Sequence, residues 1–567
     1  MCIRDSHPDD EDTTLLAFVS TALGGEAAYL SLSRGEGGQN LIGPELGVGL
    51  GMIRTGELVA ARRVEGTRQY FTRAFDFGYT RSLEETFERW PREVLLEDAV
   101  AVVRTFKPQI IVTIFPPDQR AGHGQHQAAG VLAQEVFDKA GLPDRFPEMT
   151  DAGLPPWQPQ VLYRRVWRNR EEASFQFPLD RIEPFRGRSV LQIAGASRSQ
   201  HRSQDMGTLQ PLGSRKGGLI WLAGEAGRNA KGVFDGVDTS LTAIADLLPT
   251  GPLQRRVREG LARSATLAGK ARAALSPANL ASAIPALIGI ASTLDDLLEA
   301  VREEGVAPSA LLVSDLLGEK RQMAAQALAA AAGVAVDAVA DRESVTLGDS
   351  FTVTASVWNS GEQEVAVEGL DVHPRQDWIR RRRQAVAADD GVTGLEQWEF
   401  EIEVPVDSTP TVQYFLARPL VGDLYDWGGS EEGLENGLPW QRPAVTVSFR
   451  LAIGGVRCVL SREVVYRFRD QALGRFVDRC ERFPRSKSQP GHRWFSGPRA
   501  VRVRKRSKSS CGRTLRSPPS AVCHSQVARR YGPTWSPWTF GSMSRVGSRS
   551  CAWSCRRQRC RVPIASP

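Results

Sequence analysis

Cysteine is scarce over most of this chain. Six of its eight cysteines (Cys480, Cys511, Cys523, Cys551, Cys555 and Cys560) lie beyond residue 475, and only Cys2 and Cys458 lie before it. The body therefore has no disulfide framework, and its cysteines leave its compartment open. No run of about 18 consecutive apolar residues occurs, so no membrane span is expected. Acidic residues are nearly missing from the end: residues 475–567 hold 22 Lys and Arg against Asp478 and Glu481. The remainder then carries 50 basic and 63 acidic residues, a net of −13 inside a chain whose total is +7. At 567 residues, 41% hydrophobic and 24% charged, the chain has room for two or three domains and a large core.

The basic end also lacks any helical or strand period. Such a composition suits contacts to nucleic-acid phosphates, but Cys555-x4-Cys560 has no second pair at a spacing that would complete a zinc site. The alternation of Glu463–Arg469 stops near Gly474, as it would where a reading frame breaks in mid-strand. Residues 475–567 are therefore expected to be an out-of-frame, disordered tail that packs little against the body. No nucleic-acid partner is expected.

The body shows three patterns. Leu15, Leu16, Phe18, Val19 and Leu23 give residues 11–23 a helical apolar face, and 27–33 read as a strand entering the loop Gly35–Gly38. Helices are expected over 53–63 and 84–105, a buried strand over Pro108–Phe115, and a helix over Ala128–Ala140. Strands alternating with helices predict a mostly parallel α/β sheet with its ligands beyond the carboxyl ends of the strands. Residues 239–333 are rich in Ala and Leu and read as three or four packed helices, a spacer or an oligomer surface, with Ser276-Pro277 as a start signal. The oligomeric state stays open. From 336 the period becomes two, and Val345–Leu347, Phe351–Val357, Trp398–Val404, Val412–Arg418 and Ala444–Ile453 predict a β-sandwich. Trp358, Trp378, Trp398, Tyr425 and Trp427 are expected mostly in its core rather than stacked on sugars.

The chemistry concentrates in His7-Pro8-Asp9-Asp10-Glu11 and, more than a hundred residues later, His123-Gly124-Gln125-His126. Imidazole nitrogen and carboxylate oxygen are good zinc ligands, and a catalytic zinc site keeps three protein ligands and one open position. His7, Asp10 and His126 would fill three positions, with Asp9 beside the water in the fourth. Iron or another divalent ion suits the same donors. The plainer reading of the acidic cluster is capping of the following helix. Asp76 is a candidate for holding substrate hydroxyls, and His201 for reaching the site from a loop. Glu36 is expected to order its own loop.

The order HPDDE, Ser33-Arg-Gly-Glu-Gly-Gly38, Arg54-Thr-Gly-Glu-Leu58 and HGQH resembles the LmbE-like (PIG-L) family of zinc-dependent N-acetyl-sugar deacetylases. The resemblance spans roughly residues 7–220. It implies a Rossmann-like fold, hydrolysis of the acetamide of an N-acetylglucosamine-type sugar or glycoconjugate, Asp9 as general base, His123 as the polarising or acid group and Arg54 near the substrate. The implied fold class is α/β: a Rossmann-like, mostly parallel sheet with flanking helices, then a helical segment and an immunoglobulin-like β-sandwich. The expected divisions are 7–235, 239–333, 336–474 and 475–567. A relative would lead into HPDD with an apolar strand; Met1–Ser6 is too short and too charged to be a buried central strand, and reads as a truncation scar that would have taken any signal peptide with it. The appended sandwich suggests a secreted or periplasmic setting. The rival reading is a non-catalytic carbohydrate-binding or scaffold protein, against which stands the presence of His7, Asp9, Asp10, His123 and His126 together.

Overall fold

The computed structural model describes residues 2–479 except 167–169, 277, 306, 376, 387–391, 429–435 and 472–473; residues 480–567, most of the expected tail, lie outside the described residues. The first sheet is built on β1 (Cys2–Asp5), β2 (Ala28–Ser33), β3 (Arg68–Ala74), β4 (Ile110–Thr113) and β5 (Val161–Val166), parallel neighbours in the order β3-β2-β1-β4-β5. All of β2 and β4 is buried, because helices cover both faces. Successive strand residues point to opposite faces, and the two cores follow that alternation. Tyr29, Ile110, Val112 and Tyr163 pack with Leu15 and Leu16 of α1 (Thr13–Ala17, prolonged by a π-turn over Phe18–Ala22). Ala28, Leu30, Ile111 and Leu162 pack on the other side with Leu96 and Leu132. Those two leucines belong to α4 (Arg92–Phe106) and α5 (Gly124–Lys139); the chain also forms α2 (Val48–Glu65), whose Leu58 packs in the first of these cores, α3 (Leu83–Arg89) and the short α6 (Pro147–Asp151).

Two expectations are corrected here. Taken together the sheets are mixed or antiparallel rather than mostly parallel, and the first one is mixed. After β5 the chain forms β6 (Phe175–Pro178), a two-residue hairpin β7–β8 (Ile182–Glu183, Arg188–Ser189) and α7 (Val190–Arg198), and then β9 (Lys216–Ala223) runs antiparallel to both β5 and β6. The strand-helix alternation of the first 140 residues does not extend to this half, and an antiparallel return needs no helical crossover. The other sheets are antiparallel apart from one parallel pairing, so the Rossmann-like description does not hold. The second correction concerns the start. Cys2–Asp5 forms the central strand, pairing with β2 on one side and β4 on the other. The ladder is made by main-chain groups, which every residue but proline supplies in full.

A 3-10 segment (Leu241–Leu247) leads into α8 (Pro252–Ala274), α9 (Ile284–Glu303) and α10 (Pro308–Ala331). The helix start is not at Ser276: α9 begins at Ile284 with Pro285 in its first turn, and Pro277 lies outside the described residues. Among the described residues one helix, Leu280–Glu303, is long and apolar enough to cross a membrane by length and composition. Its Leu294, Leu297, Leu298 and Val301 are buried in a core shared with the strands that follow.

Those strands are β10 (Val334–Ala340), β11 (Ser350–Asn359), β12 (Val365–Pro374), β13 (Ile379–Val386), β14 (Leu395–Glu403), β15 (Val445–Ile453), β16 (Val456–Glu463), β17 (Val465–Asp470) and β18 (Gly474–Arg479). They form a six-stranded sheet, β13-β14-β11-β10-β17-β18, and a three-stranded sheet, β12-β15-β16. Pairing continues past Gly474, since β18 is antiparallel to β17. Val345–Leu347 and Val412–Arg418 are not strands. The second of these belongs to the long connection from β14 to β15, which leaves the sandwich and lies along β3, the edge strand of the first sheet. There Phe71 N–H donates to Gly437 O (2.8 Å), Phe75 N–H to Asp423 O (2.9 Å) and Tyr425 N–H to Arg73 O (2.7 Å). An uncovered edge strand is a template for unwanted pairing; here the chain's own connection covers it. Of the five aromatics expected mostly in the sandwich core, Trp378 and Trp398 are there, Tyr425 and Trp427 are buried in this connection, and Trp358 is exposed.

Candidate metal centre

Four adjacent parallel strands deliver the site from their carboxyl ends. β1 runs into Ser6–Asp10, β2 into Arg34–Gly38, β3 into Asp76, and β4 through a loop into His123, which caps α5 and is followed at the third helical position by His126. The chain leaves β1 toward β2 and returns on the other side as β4, and such reversals open a crevice at the strand ends.

The capping explanation of the acidic cluster fails at Asp9 and Asp10. Asp12 is the N-cap of α1 and accepts from the Thr14 and Leu15 N–H groups at 3.0 and 3.1 Å. Asp10 turns inward instead. Its Oδ2 accepts from Ser6 Oγ (3.0 Å) and His7 N (3.0 Å), and lies 3.1 Å from His7 Nδ1 and 3.2 Å from His126 Nε2. The ligand nitrogens of His7, His123 and His126 lie within 4.8 Å of one another, close enough for one divalent ion to be held among them. Imidazole and carboxylate without thiolate fit a borderline or hard divalent cation.

Hydrogen bonds set the imidazole tautomers. His126 Nδ1 donates to Ala121 O (3.0 Å), which leaves Nε2 its lone pair, the arrangement common to histidine ligands. The ring also stacks on Phe115, with centroids 3.6 Å apart. Buried Gln125 is oriented by its amide nitrogen on Gly78 O and by Thr80 Oγ1, which donates to Oε1 at 2.7 Å. The same Oε1 accepts from His123 Nδ1 at 2.9 Å, so Nε2 of His123 is also left with its lone pair.

Electrostatics separate the histidines. Burial lowers the His7 imidazole, but the carboxylates of Asp76 and Asp10 outweigh it and raise the group to about 9. Burial, reinforced by His126 and His7, lowers His123 to about 4. Burial would raise Asp10, yet the two imidazoles facing it hold it well below the usual carboxylate range.

The remaining sequence candidates fall into two groups. Asp9 and Arg54 are joined: Arg54 Nη2 donates to Asp9 Oδ1, and Nη1 to Gly35 O at 3.0 Å. Arg54 is buried and directed at Asp9. Gly35 makes room for it: φ is +77°, and a Cβ there would lie 2.3 Å from Arg54 Nη1. Asp76 is buried with Oδ2 3.7 Å from His7 Nε2. His201 does not reach the mouth. It is fully buried, with Nε2 2.6 Å from Glu11 Oε1, inside a charged network that includes Arg62. Sequence reasoning missed Gln125, Phe115 and Arg198, which donates to Asp9 O at 3.3 Å. Gln125 stands inside the HGQH segment, where a search for groups that orient its imidazoles would have found it, while Phe115 lies eight residues earlier, just past β4.

Glu36 holds the Gly-rich loop. Its Oε2 accepts from Asp76 N–H (3.1 Å) and its Oε1 from Tyr425 Oη (2.5 Å). Burial raises this carboxyl from 4.5 to about 7. The native state therefore binds the proton more tightly than the unfolded chain, so this contribution to stability is complete below pH 4.5 and lost as pH rises through about 7. The midpoint of urea unfolding should fall between pH 5 and 8 less steeply in Glu36→Gln than in wild type; parallel curves would refute the assignment.

A chain of N,N'-diacetylchitobiose deacetylase from Pyrococcus horikoshii, complexed with its inhibitor MPG, matches at 20% identity over 36% of this chain and 69% of that one, with a TM-score of 0.28, too low an overlap to fix a fold. Residues 5–137, the span from β1 almost to the end of α5, match the family model PIG-L, GlcNAc-PI de-N-acetylase. The N-terminal region of this chain thus matches the PIG-L/LmbE-like deacetylases at the level of the superfamily.

Proposed function

We propose that the chain is a metal-dependent amidohydrolase that removes the acetyl group from an N-acetylglucosamine-type sugar or glycoconjugate. The observation that carries this reading is the meeting of His7 and His126, from two different strand ends, on one oxygen of Asp10 within the segment that matches a de-N-acetylase model.

In this reading His7, Asp10 and His126 hold the ion, zinc by preference. When bound, it supplies Lewis acidity toward the amide carbonyl and toward a water. Arg54 occupies Oδ1 of Asp9 and leaves Oδ2 to accept a proton from the attacking water. The water oxygen joins the acetyl carbon and the C–N bond breaks. Asp9 returns its proton to the departing amine, giving acetate and the free amino sugar. His123, its Nδ1–H held by Gln125, would meet the negative charge developing on the carbonyl oxygen only with Nε2 protonated as well, as the imidazolium. Asp76 and the Gly35–Gly38 loop form the wall where sugar hydroxyls would lie.

The test is metal analysis of the full chain with free-amine release from a panel of N-acetylated sugars. About one equivalent of divalent metal is expected. Chelation should abolish amine release, and added zinc should restore it. Hydrolysis that survives complete chelation, or a chain that binds no metal, would refute the proposal.

A further inference from the structure

The connection between β14 and β15 belongs to the sandwich by sequence and to the metal centre by contact. Tyr425, buried at its middle, donates to Glu36, and the other oxygen of Glu36 holds the backbone N–H of Asp76, whose carboxylate faces His7. A second set of contacts fixes the same Gly-rich loop from its start. Arg34 is fully buried and donates to Pro439 O (2.9 Å), Leu438 O (3.1 Å) and Tyr414 Oη (3.3 Å), while its guanidinium lies 3.6 Å over the Phe415 ring. Tyr414 in turn donates to Leu438 O (2.7 Å). Every one of these partners is about 380 to 400 residues away in the chain.

These contacts differ in kind from a domain resting on its neighbour. The buried polar groups of the Gly-rich loop and those of the connection satisfy one another, and a buried polar group left unpaired is costly. Removal of the connection would strand the Arg34 guanidinium and the Glu36 carboxyl together. The loop they bracket, residues 34–38, also supplies Gly35 O to Arg54, which holds Asp9. Both wings of the centre, Asp76 beside His7 and Arg54 beside Asp9, are therefore braced from the far end of the chain.

We infer that the β14–β15 connection is a working part of the metal centre, with Tyr425 as a positioning residue that acts through Glu36 on Asp76 and His7. The appended sandwich then serves the reaction by completing the wall of the site, not as an independent sugar-binding module. This rests on the metal-hydrolase reading above, but its test does not depend on turnover.

Tyr425→Phe removes one hydroxyl and keeps the ring in its apolar setting. In the full-length protein, the metal-free variant should melt within a few degrees of wild type. Its affinity for zinc, measured by competition with a chromophoric chelator, should fall about three- to tenfold, somewhat below the roughly 10–100-fold seen when a group touching a ligand is lost. The spectrum of the cobalt-loaded protein should shift as the ligand field around His7 changes. Trp427→Phe is the control, because Trp427 packs on the same connection over Arg73 and Tyr414. Unchanged affinity and spectrum in Tyr425→Phe would overturn the inference. So would equal loss of affinity in both variants in step with melting temperature, since that is mere packing. If wild type binds metal but hydrolyses none of the panel, the proposed substrate fails while the zinc and cobalt readouts still decide the role of Tyr425.

Discussion

Asp9→Asn should retain bound metal and lose amide hydrolysis by about 10²–10⁴-fold, the usual contribution of a positioned general base. Asparagine matches aspartate in size, and its carbonyl oxygen can still accept the bond from Arg54. It cannot take a proton from water. The loss should fall on kcat more than on KM, because the interaction matters only as the proton moves. Asp10→Asn should behave differently. Its Oδ2 gathers the Ser6 hydroxyl, the His7 N–H and both imidazoles. Loss of that charge weakens the ion's hold directly, and affinity should drop at least on the order of 10–100-fold. Excess zinc should then restore part of the activity of Asp10→Asn and none of that of Asp9→Asn. Equal metal loss in the two variants, or rescue of Asp9→Asn by zinc, would show that the carboxylates are assigned the wrong way round.

The legible part of this site was local in sequence. His7, Asp9 and Asp10 follow one strand and His123 and His126 follow another, so two short motifs with strand contexts were enough to place them at the ends of a sheet. What was not legible depended on distant partners. The resemblance implies Arg54 near the substrate, but only the fold shows it set against Asp9. His201, in a polar Ser/Gln/Arg stretch, reads as a loop histidine until it is found fully buried on Glu11. Tyr425 carries no local sign of its bond to Glu36, and the apolar run in Val412–Arg418 mimics a strand although Tyr414–Leu416 is a 3-10 turn with Phe415 buried beside Tyr425. The mixed sheet was missed for a related reason: β9, Lys-Gly-Gly-Leu-Ile-Trp-Leu-Ala, gives no sign of its direction, and strand direction is set by the connection before it. The central position of Cys2–Asp5 shows the limit of composition, since two neighbouring strands supply its ladders whatever its side chains.

The two imidazoles of HGQH should separate sharply on mutation. His126→Ala should abolish metal binding and hydrolysis together, while His123→Ala should keep the metal and lose about 10²–10³ in kcat, the scale for removal of one group that stabilises developing oxyanion charge. The geometry allows a competitor. The nitrogens of His7, His123 and His126 lie within 4.8 Å of one another, so three imidazoles alone would also enclose an ion, with Asp10 supporting it from outside. One observation favours the set with Asp10. Its Oδ2 already lies 3.1 and 3.2 Å from nitrogens of His7 and His126. Burial with two neighbouring imidazoles lowers His123 to about 4, and its Nδ1 is fixed by Gln125, so the neutral ring presents a lone pair at Nε2. That lone pair can ligate an ion, whereas a bond to the carbonyl oxygen needs the ring protonated, and metal content decides between the two roles. Full metal occupancy in His123→Ala with none in His126→Ala assigns His123 to the carbonyl. Loss of metal in both, with occupancy retained in Asp10→Asn, would give the centre to the three histidines and move Asp10 to their support.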